Sequence, residues 1–297
     1  MTTETVMLLE LFNVIFPVFV CIALGWGWGR LGQPFDTRGL SELVTLVGTP
    51  CLIFSTLTRI DLDPRVLGEL GLASVTTLVL FGIIGGLVLW LLNMPQRTYL
   101  PPLMFANVGN MGLPLSLFAF GEHGLALAVV VFAVASVVNF TFGVWLYSGA
   151  GSPVHLLRAP LVYAVLLAVP IMLLDVPVPQ WIDSTTALLG AFTIPIMLLT
   201  LGVSLARLEV MNMRLAFGLS LLRLGMGVTV GWLVAELFGL EGVARGVLIL
   251  QCSMPVAVFN YLFALRFDRD PNATASLIII STILSLFMLP LLLIVLM

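Results

Sequence analysis

The sequence predicts an all-α integral membrane protein of ten transmembrane helices in two inverted five-helix repeats, with helices 4 and 9 interrupted where they cross. Three observations carry that expectation. Charge is scarce, with 9% charged against 60% hydrophobic residues over 297 positions, where soluble domains carry roughly 25% charged residues. Apolar runs of spanning length recur along the whole chain, and prolines fall at matching places in its two halves.

A mean hydropathy of +1.17 makes lipid the main solvent. At about 20 apolar residues per crossing, the chain has room for about ten spans and no soluble domain. The net charge of −3 is small, every basic residue is Arg, and no basic tract suggests nucleic acid. Cys21, Cys51 and Cys252 lie in apolar stretches without CxxC spacing or a nearby His, which argues against metal sites and disulfides. The first apolar run carries Glu4 and Glu10 at its start and no basic segment ahead of it, so it is expected to stay as a span and not be cleaved as a leader.

Apolar runs between charged or Pro/Gly-rich breaks define the spans. The first five run from Val6 to Trp28, Leu40 to Leu57, Val66 to Leu92, Tyr99 to Phe120 and Leu125 to Tyr147. After the break GAGSP, the second five run from Leu161 to Leu174, Thr185 to Leu205, Leu215 to Phe238, Gly242 to Leu265 and Ala273 to Met297. Residues 1–150 and 151–297 are thus the two repeats, a single bundle divided in space into scaffold and transport parts. The odd-numbered loops hold Arg30, Arg38, Arg97, Arg158, Arg207, Arg214, Arg266 and Arg269, the even-numbered ones only Arg59, Arg65 and Arg245. Basic loops stay cytoplasmic, so both termini are expected outside.

Five is an odd number, so tandem five-span units must insert with opposite topology. Pro50 in GTPCLIFSTL pairs with Pro195 in TIPIMLLTLGVSL, and Pro114 in ANVGNMGLPLSLF pairs with Pro255 in QCSMPVAVFNYLF. The separations, 64 residues in the first half and 60 in the second, suit one ancestral unit. A lone Pro merely kinks a transmembrane helix; four in register, with Asn107, Gly109, Asn110 and Gly112 beside Pro114, predict freed backbone lining a protein-enclosed cavity. The half-helix N-termini there would carry partial positive charge suited to an anion.

At these residues the chain resembles the auxin efflux carrier family, bacterial and plant carriers that include malate and malonate permease-like members. The segments TPCLIFSTL, NVGNMGLP, IPIMLLTLGVSLARL and SMPVAVFNYLFALRFDRDPNATASLIIIST occur in the family's order across nearly the whole chain. The resemblance implies elevator-type alternating access and dimers in some relatives. It places the family's crossing asparagine on Asn107, the first crossover on Gly112 to Pro114 and the second on Ser253 to Pro255. The plant members' long inter-repeat loop and charged third span are missing: Glu69, at the outer end, is the one acidic residue from Val66 to Leu92.

The substrate-site candidates are therefore Asn107, Asn110, Gly112, Pro114, Ser253, Pro255 and Asn260, with Pro50 and Pro195 shaping the breaks. Arg223 is the one charge deep in a span, nine residues past Arg214 and so about 13 Å along a helix. It must face the bundle interior or a cavity. Arg223 and Gln251 are candidates for a charge partner or a structural tie. Asn13, Asn139, Ser281, Thr282, Thr200 and Ser204 are expected to bond helix to helix. No carboxylate sits mid-span, so a carboxylate proton relay is not visible; coupling to Na+ through carbonyl, Asn, Ser and Thr oxygens, or uncoupled anion movement, fits the residues equally.

The expected function is a secondary transporter for a small organic anion, a mono- or dicarboxylate, in a bacterial inner membrane and without a cofactor. A bile-acid-type sodium symporter and a membrane receptor are the alternatives. An intramembrane enzyme is disfavoured, because hydrolysis needs paired catalytic or metal-binding side chains and both histidines, His123 and His155, fall in loops.

Overall fold

The computed structural model describes residues 3–60, 63–149, 160–174 and 176–297, with side chains from residue 12 onward. The predicted positions of Asp61, His155, Arg158 and Asp175, and the side chains of Glu4 and Glu10, lie outside them. The described helices are α1 (Thr3–Arg30), α2 (Thr37–Leu43), α3 (Thr49–Arg59), α4 (Pro64–Leu91), α5 (Gln96–Met104), α6 (Leu113–Val138), α7 (Val144–Ser148), α8 (Pro160–Leu173), α9 (Gln180–Ala191), α10 (Thr193–Arg207), α11 (Met213–Leu237), α12 (Gly242–Cys252), α13 (Phe259–Arg266) and α14 (Pro271–Leu296). π-helical turns at Val44–Gly48, Val108–Gly112 and Asn139–Gly143 join α2 to α3, lead into α6 and join α6 to α7.

Among the described residues, seven helical stretches are long and apolar enough to cross a membrane: Phe12–Arg30, Thr37–Arg59, Pro64–Leu91, Val108–Ser148, Gln180–Arg207, Met213–Leu237 and Pro271–Leu296. Pro160–Leu173 and Gly242–Cys252 are apolar but shorter. The longest stretch is bent: Gly121 has φ 66° and ψ −163° inside α6, a conformation that glycine alone adopts without strain. Large apolar side chains such as Leu72, Trp90, Leu188 and Phe287 face outward, as a hydrocarbon solvent requires, while Ser116, Ser220, Arg223 and Gln251 are fully buried.

Helix starts are marked by side-chain caps that occupy otherwise orphaned N–H groups. Asp63 accepts from the Arg65 N–H and Asp270 from the Ala273 N–H, each with Pro at the first helical position, where no donor is needed. Asn212 caps α11 by accepting from Leu215. The ends of α4 and α11 match as well. Asn93 and Gly239 take positive φ, and the next N–H reaches back five residues, Met94 to Leu89 O at 2.8 Å and Leu240 to Ala235 O at 2.9 Å, the bonding of a Schellman ending.

Packing divides the helices into two sets. In one, α1 lies along α10, and α3 along α8 and α9; Gly25 and Gly202 let the α1 and α10 backbones touch, since a Cβ on either would strike the other helix's main chain. The Arg59 guanidinium clasps the Asp183 carboxylate at 2.6 and 2.8 Å, tying α3 to α9. In the other set α11 packs on α14 and α12, α12 on α6, and α4 on α5.

Candidate functional site

The span from Gln96 breaks after Met104, and the span from Gly242 breaks after Cys252. Between the broken ends Ala106 and Val256 pair as an antiparallel β-bridge. Asn107 N–H donates to Pro255 O at 2.7 Å and Ala257 N–H to Phe105 O at 3.2 Å. Backbone set free by two helix breaks is therefore satisfied partly by the breaks themselves, as burial demands. The structure thus engages part of the backbone that the sequence predicts to be free. It also shifts the first break upstream, to Phe105–Asn107: Gly109 and Gly112 lie in the π-turn that starts the second half-helix, and Pro114 sits at its beginning, where a missing N–H costs nothing.

A cavity with ≈ 110 Å³ open to the centres of water-sized spheres lies beside this crossing, room for several waters or a small solute. Its walls come from both helix sets: Ser41, Thr45, Thr49, Leu161, Met197 and Thr200 on one side, Phe105 to Asn110, Phe132, Ser136, Asn139, Ala257 and Phe259 on the other. All three π-helical turns contribute to the lining. Each carries a backbone bond to the fifth residue back: Thr49 to Val44, Gly112 to Asn107, and Val144 to Asn139. Such turns widen a helix locally and often mark functional positions.

Asn107 is the best placed of the predicted residues. It is 4% exposed, its Nδ2 has no hydrogen-bond partner, and it stands at the N-terminus of the half-helix that begins with Val108. The first turn there holds N–H groups without intrahelical acceptors, so an amide donor and a partial positive charge share one wall. Asn110 lines the same cavity. The remaining predicted residues do not line this cavity, each for a visible reason. Gly112 is covered by Gln251, whose Oε1 an added Cβ would strike. Ser253 Oγ donates to Ile249 O at 2.7 Å, and the Pro255 carbonyl is used in the bridge. Pro114 is buried in the α6 start, Pro50 begins α3, and Pro195 is exposed near the start of α10.

Asn260 is a brace. Its Nδ2 donates to Phe105 O and Ala257 O, both at 3.1 Å, while its Oδ1 accepts from the Tyr147 hydroxyl at 3.1 Å. Ser281 Oγ accepts from the Val256 N–H at 3.0 Å, and Gln251 Nε2 donates to Ser116 Oγ at 3.2 Å. Arg223 is fully buried as expected; its Nη2 donates to Cys252 O at 3.0 Å and its guanidinium lies 4.7 Å from the Phe81 ring centre. Two residues expected to bond helix to helix line the cavity instead: Asn139 Oδ1 and Thr200 Oγ1 are buried there without partners. Their mid-span polarity was visible in the sequence; which way they face was not.

A many-helix bundle with broken helices meeting at a cavity has the build of a membrane transport protein. Residues 11–156 and 148–293 match the family model described as Membrane transport protein, and the chain belongs to that family, the auxin efflux carriers. An uncharacterized transporter of Methanocaldococcus jannaschii is 25% identical over 94% of this chain and 96% of its own. One of Methanothermobacter thermautotrophicus is 28% identical over the same shares. A Rhizobium meliloti protein provisionally named a malonate transporter is 27% identical over 48% of this chain and 46% of its own. The protein is thus a multi-pass membrane transporter, of a family of transporters and not of enzymes.

Proposed function

We propose that the chain is a ten-crossing carrier for a small organic anion, built from inverted repeats over residues 1–150 and 151–297, that works by elevator-type alternating access. The observation that carries the anion reading is the unpartnered Asn107 Nδ2 in the wall of a cavity that also receives a half-helix N-terminus. A carboxylate would accept from both, and charge-assisted hydrogen bonds of this kind are stronger than neutral ones. No acidic residue lines the cavity to repel it. The provisional malonate name of the Rhizobium meliloti relative points the same way.

The ten-crossing count follows if the two broken helices and Pro160–Leu173 each span once and Gly121 divides two spans. The like-bonded ends of α4 and α11 support the repeat. For the elevator, α1–α3 with α8–α10 form the scaffold, and α4–α7 with α11–α14 the moving part. The cavity lies between them. The hydrogen bonds at the crossing stay inside the moving set, and those of Arg59 and Arg207 inside the scaffold set, so sliding leaves both networks intact. The excess of Arg in the odd-numbered loops supports a cytoplasmic side for those loops and, with it, both termini on the outer side of a bacterial inner membrane.

Uptake of labelled malonate, malate and indole-acetate into proteoliposomes, with and without sodium and proton gradients, tests the reading. Saturable flux of at least one acid is expected, and its dependence on either gradient identifies the coupling ion. Binding without flux would favour a receptor; no saturable flux of any acid would overturn the proposal.

A further inference from the structure

Arg223 on α11 is an unbalanced charge. It has no exposed surface, and its Nε and Nη1 have no partner. The ion pairs among the described residues, Arg38–Glu42, Arg59–Asp183 and Arg245–Glu236, all lie elsewhere. Its one hydrogen bond, to Cys252 O, caps the C-terminal end of α12. That end offers roughly half a negative charge, which leaves the guanidinium incompletely neutralised. A buried cation in this condition is costly and marks a functional position when it lies inside a membrane bundle.

Its surroundings connect it to the crossing. Phe81, under the guanidinium, and Cys252, its hydrogen-bond partner, both line a second, smaller cavity of ≈ 20 Å³ together with Ser74, Thr77 and Gln251. Ala106, Val108 and Ala135 wall this cavity and the larger one alike. The extended segment holding Asn107 therefore borders both the solute cavity and the smaller cavity, whose walls Phe81 and Cys252 separate it from Arg223. At an effective dielectric of about 20, a unit charge within about 10 Å alters affinity for one extra negative charge by tenfold or more.

We propose that Arg223 is the specificity-determining residue that makes this carrier prefer a dianionic dicarboxylate over a monoanion of the same shape, acting through its field from behind Phe81 and Cys252. This rests on the anion-carrier reading above. Asn107 and the half-helix N-terminus hold one carboxylate, and Arg223 supplies the charge that favours a second.

The test compares malonate with monomethyl malonate, which keeps the skeleton and loses one charge, as substrates of the full chain in proteoliposomes. The wild-type protein is expected to favour malonate in KM by tenfold or more. Arg223→Gln should bring the ratio close to one while moving the monoester KM by less than about threefold, and Arg223→Lys should retain most of the preference. Should Arg223→Gln fail to fold, Thr77→Asp answers instead, because it puts a negative charge in the cavity lined by Cys252, the hydrogen-bond partner of Arg223; the preference should vanish in the folded protein. A wild-type protein indifferent to the second charge, or a ratio unchanged in Arg223→Gln or Thr77→Asp, overturns the proposal and leaves the carrier reading standing if either acid is transported saturably. Absence of flux for both acids, and for every other acid tried, removes the carrier reading and this inference with it.

Discussion

The two helix breaks occupy corresponding places in the sequence and do different physical work. At the first, from Phe105 to Asn107, an amide donor is left unpartnered against a cavity. At the second, from Ser253 to Val258, the nearby polar groups are engaged: Ser253 by Ile249, the Val256 N–H by Ser281, and the Asn260 amide by Phe105, Ala257 and Tyr147. One break is open to a cavity and the other holds the crossing in shape. Two interruptions alike in sequence thus differ in chemistry. Where a buried amide points decides its role more than the motif around it does.

Removing the open amide should have the largest effect. Asn107→Ala deletes the donor to a bound carboxylate, a hydrogen bond to a charged group worth about 1.5–3 kcal/mol, so flux at sub-saturating substrate should fall roughly 10- to 100-fold. Because Nδ2 bonds nothing in the protein, the thermal unfolding temperature in detergent should stay near wild type. A large loss of stability would reassign Asn107 to the bracing class.

The bracing amide should show the reverse pattern. Asn260→Ala deletes three buried side-chain hydrogen bonds, to Phe105 O, Ala257 O and the Tyr147 hydroxyl, each worth about 0.5–1.5 kcal/mol, while Phe105 O keeps the Ala257 N–H and the Tyr147 hydroxyl keeps the backbone carbonyl of residue 260. Thermal unfolding should reveal a clear destabilisation. Flux corrected for folded protein should fall less than for Asn107→Ala. Ser281→Ala removes the acceptor of the Val256 N–H and should lower stability by about 1–2 kcal/mol. If it lowered substrate affinity and spared stability, the second break would also be a binding element.

Much of this contrast was beyond the sequence's reach. The apolar stretches were legible because charged or Pro/Gly-rich breaks bound them, and the neighbourhood of the breaks because Pro and Gly gather at Asn107–Pro114 and Ser253–Pro255, although the first helix opens upstream of its glycines, at Phe105–Asn107. Arg223 was legible as buried, since a charge nine residues inside a span has few other places to go. The β-bridge between Ala106 and Val256 was not, because it joins segments 150 positions apart, and local pattern carries no information about such a pairing. Asn260 looked like a ligand residue on the same grounds as Asn107; only the approach of Tyr147 and Phe105 separates them. Asn139 and Thr200 were recognised as mid-span polar groups yet given the default helix-to-helix role, which fails because a π-turn begins at Asn139 and the cavity opens where a partner would otherwise sit.

Asn110 sharpens the comparison with the smallest expected effect. It lines the cavity three residues beyond Asn107, but it is half-buried and already inside the π-helical turn. Its amide therefore keeps access to solvent, and exchanging water for a substrate carboxylate gains little there. Asn110→Ala should change KM by less than about threefold, within the ~0.5–1 kcal/mol of an ordinary net hydrogen bond, and leave unfolding temperature unchanged. A KM shift as large as that of Asn107→Ala would mean that both amides grip the solute and that desolvation of Asn107 is not what sets it apart. A null effect beside a strong Asn107 phenotype would place the binding determinant at the one donor that the fold leaves dry and unsatisfied.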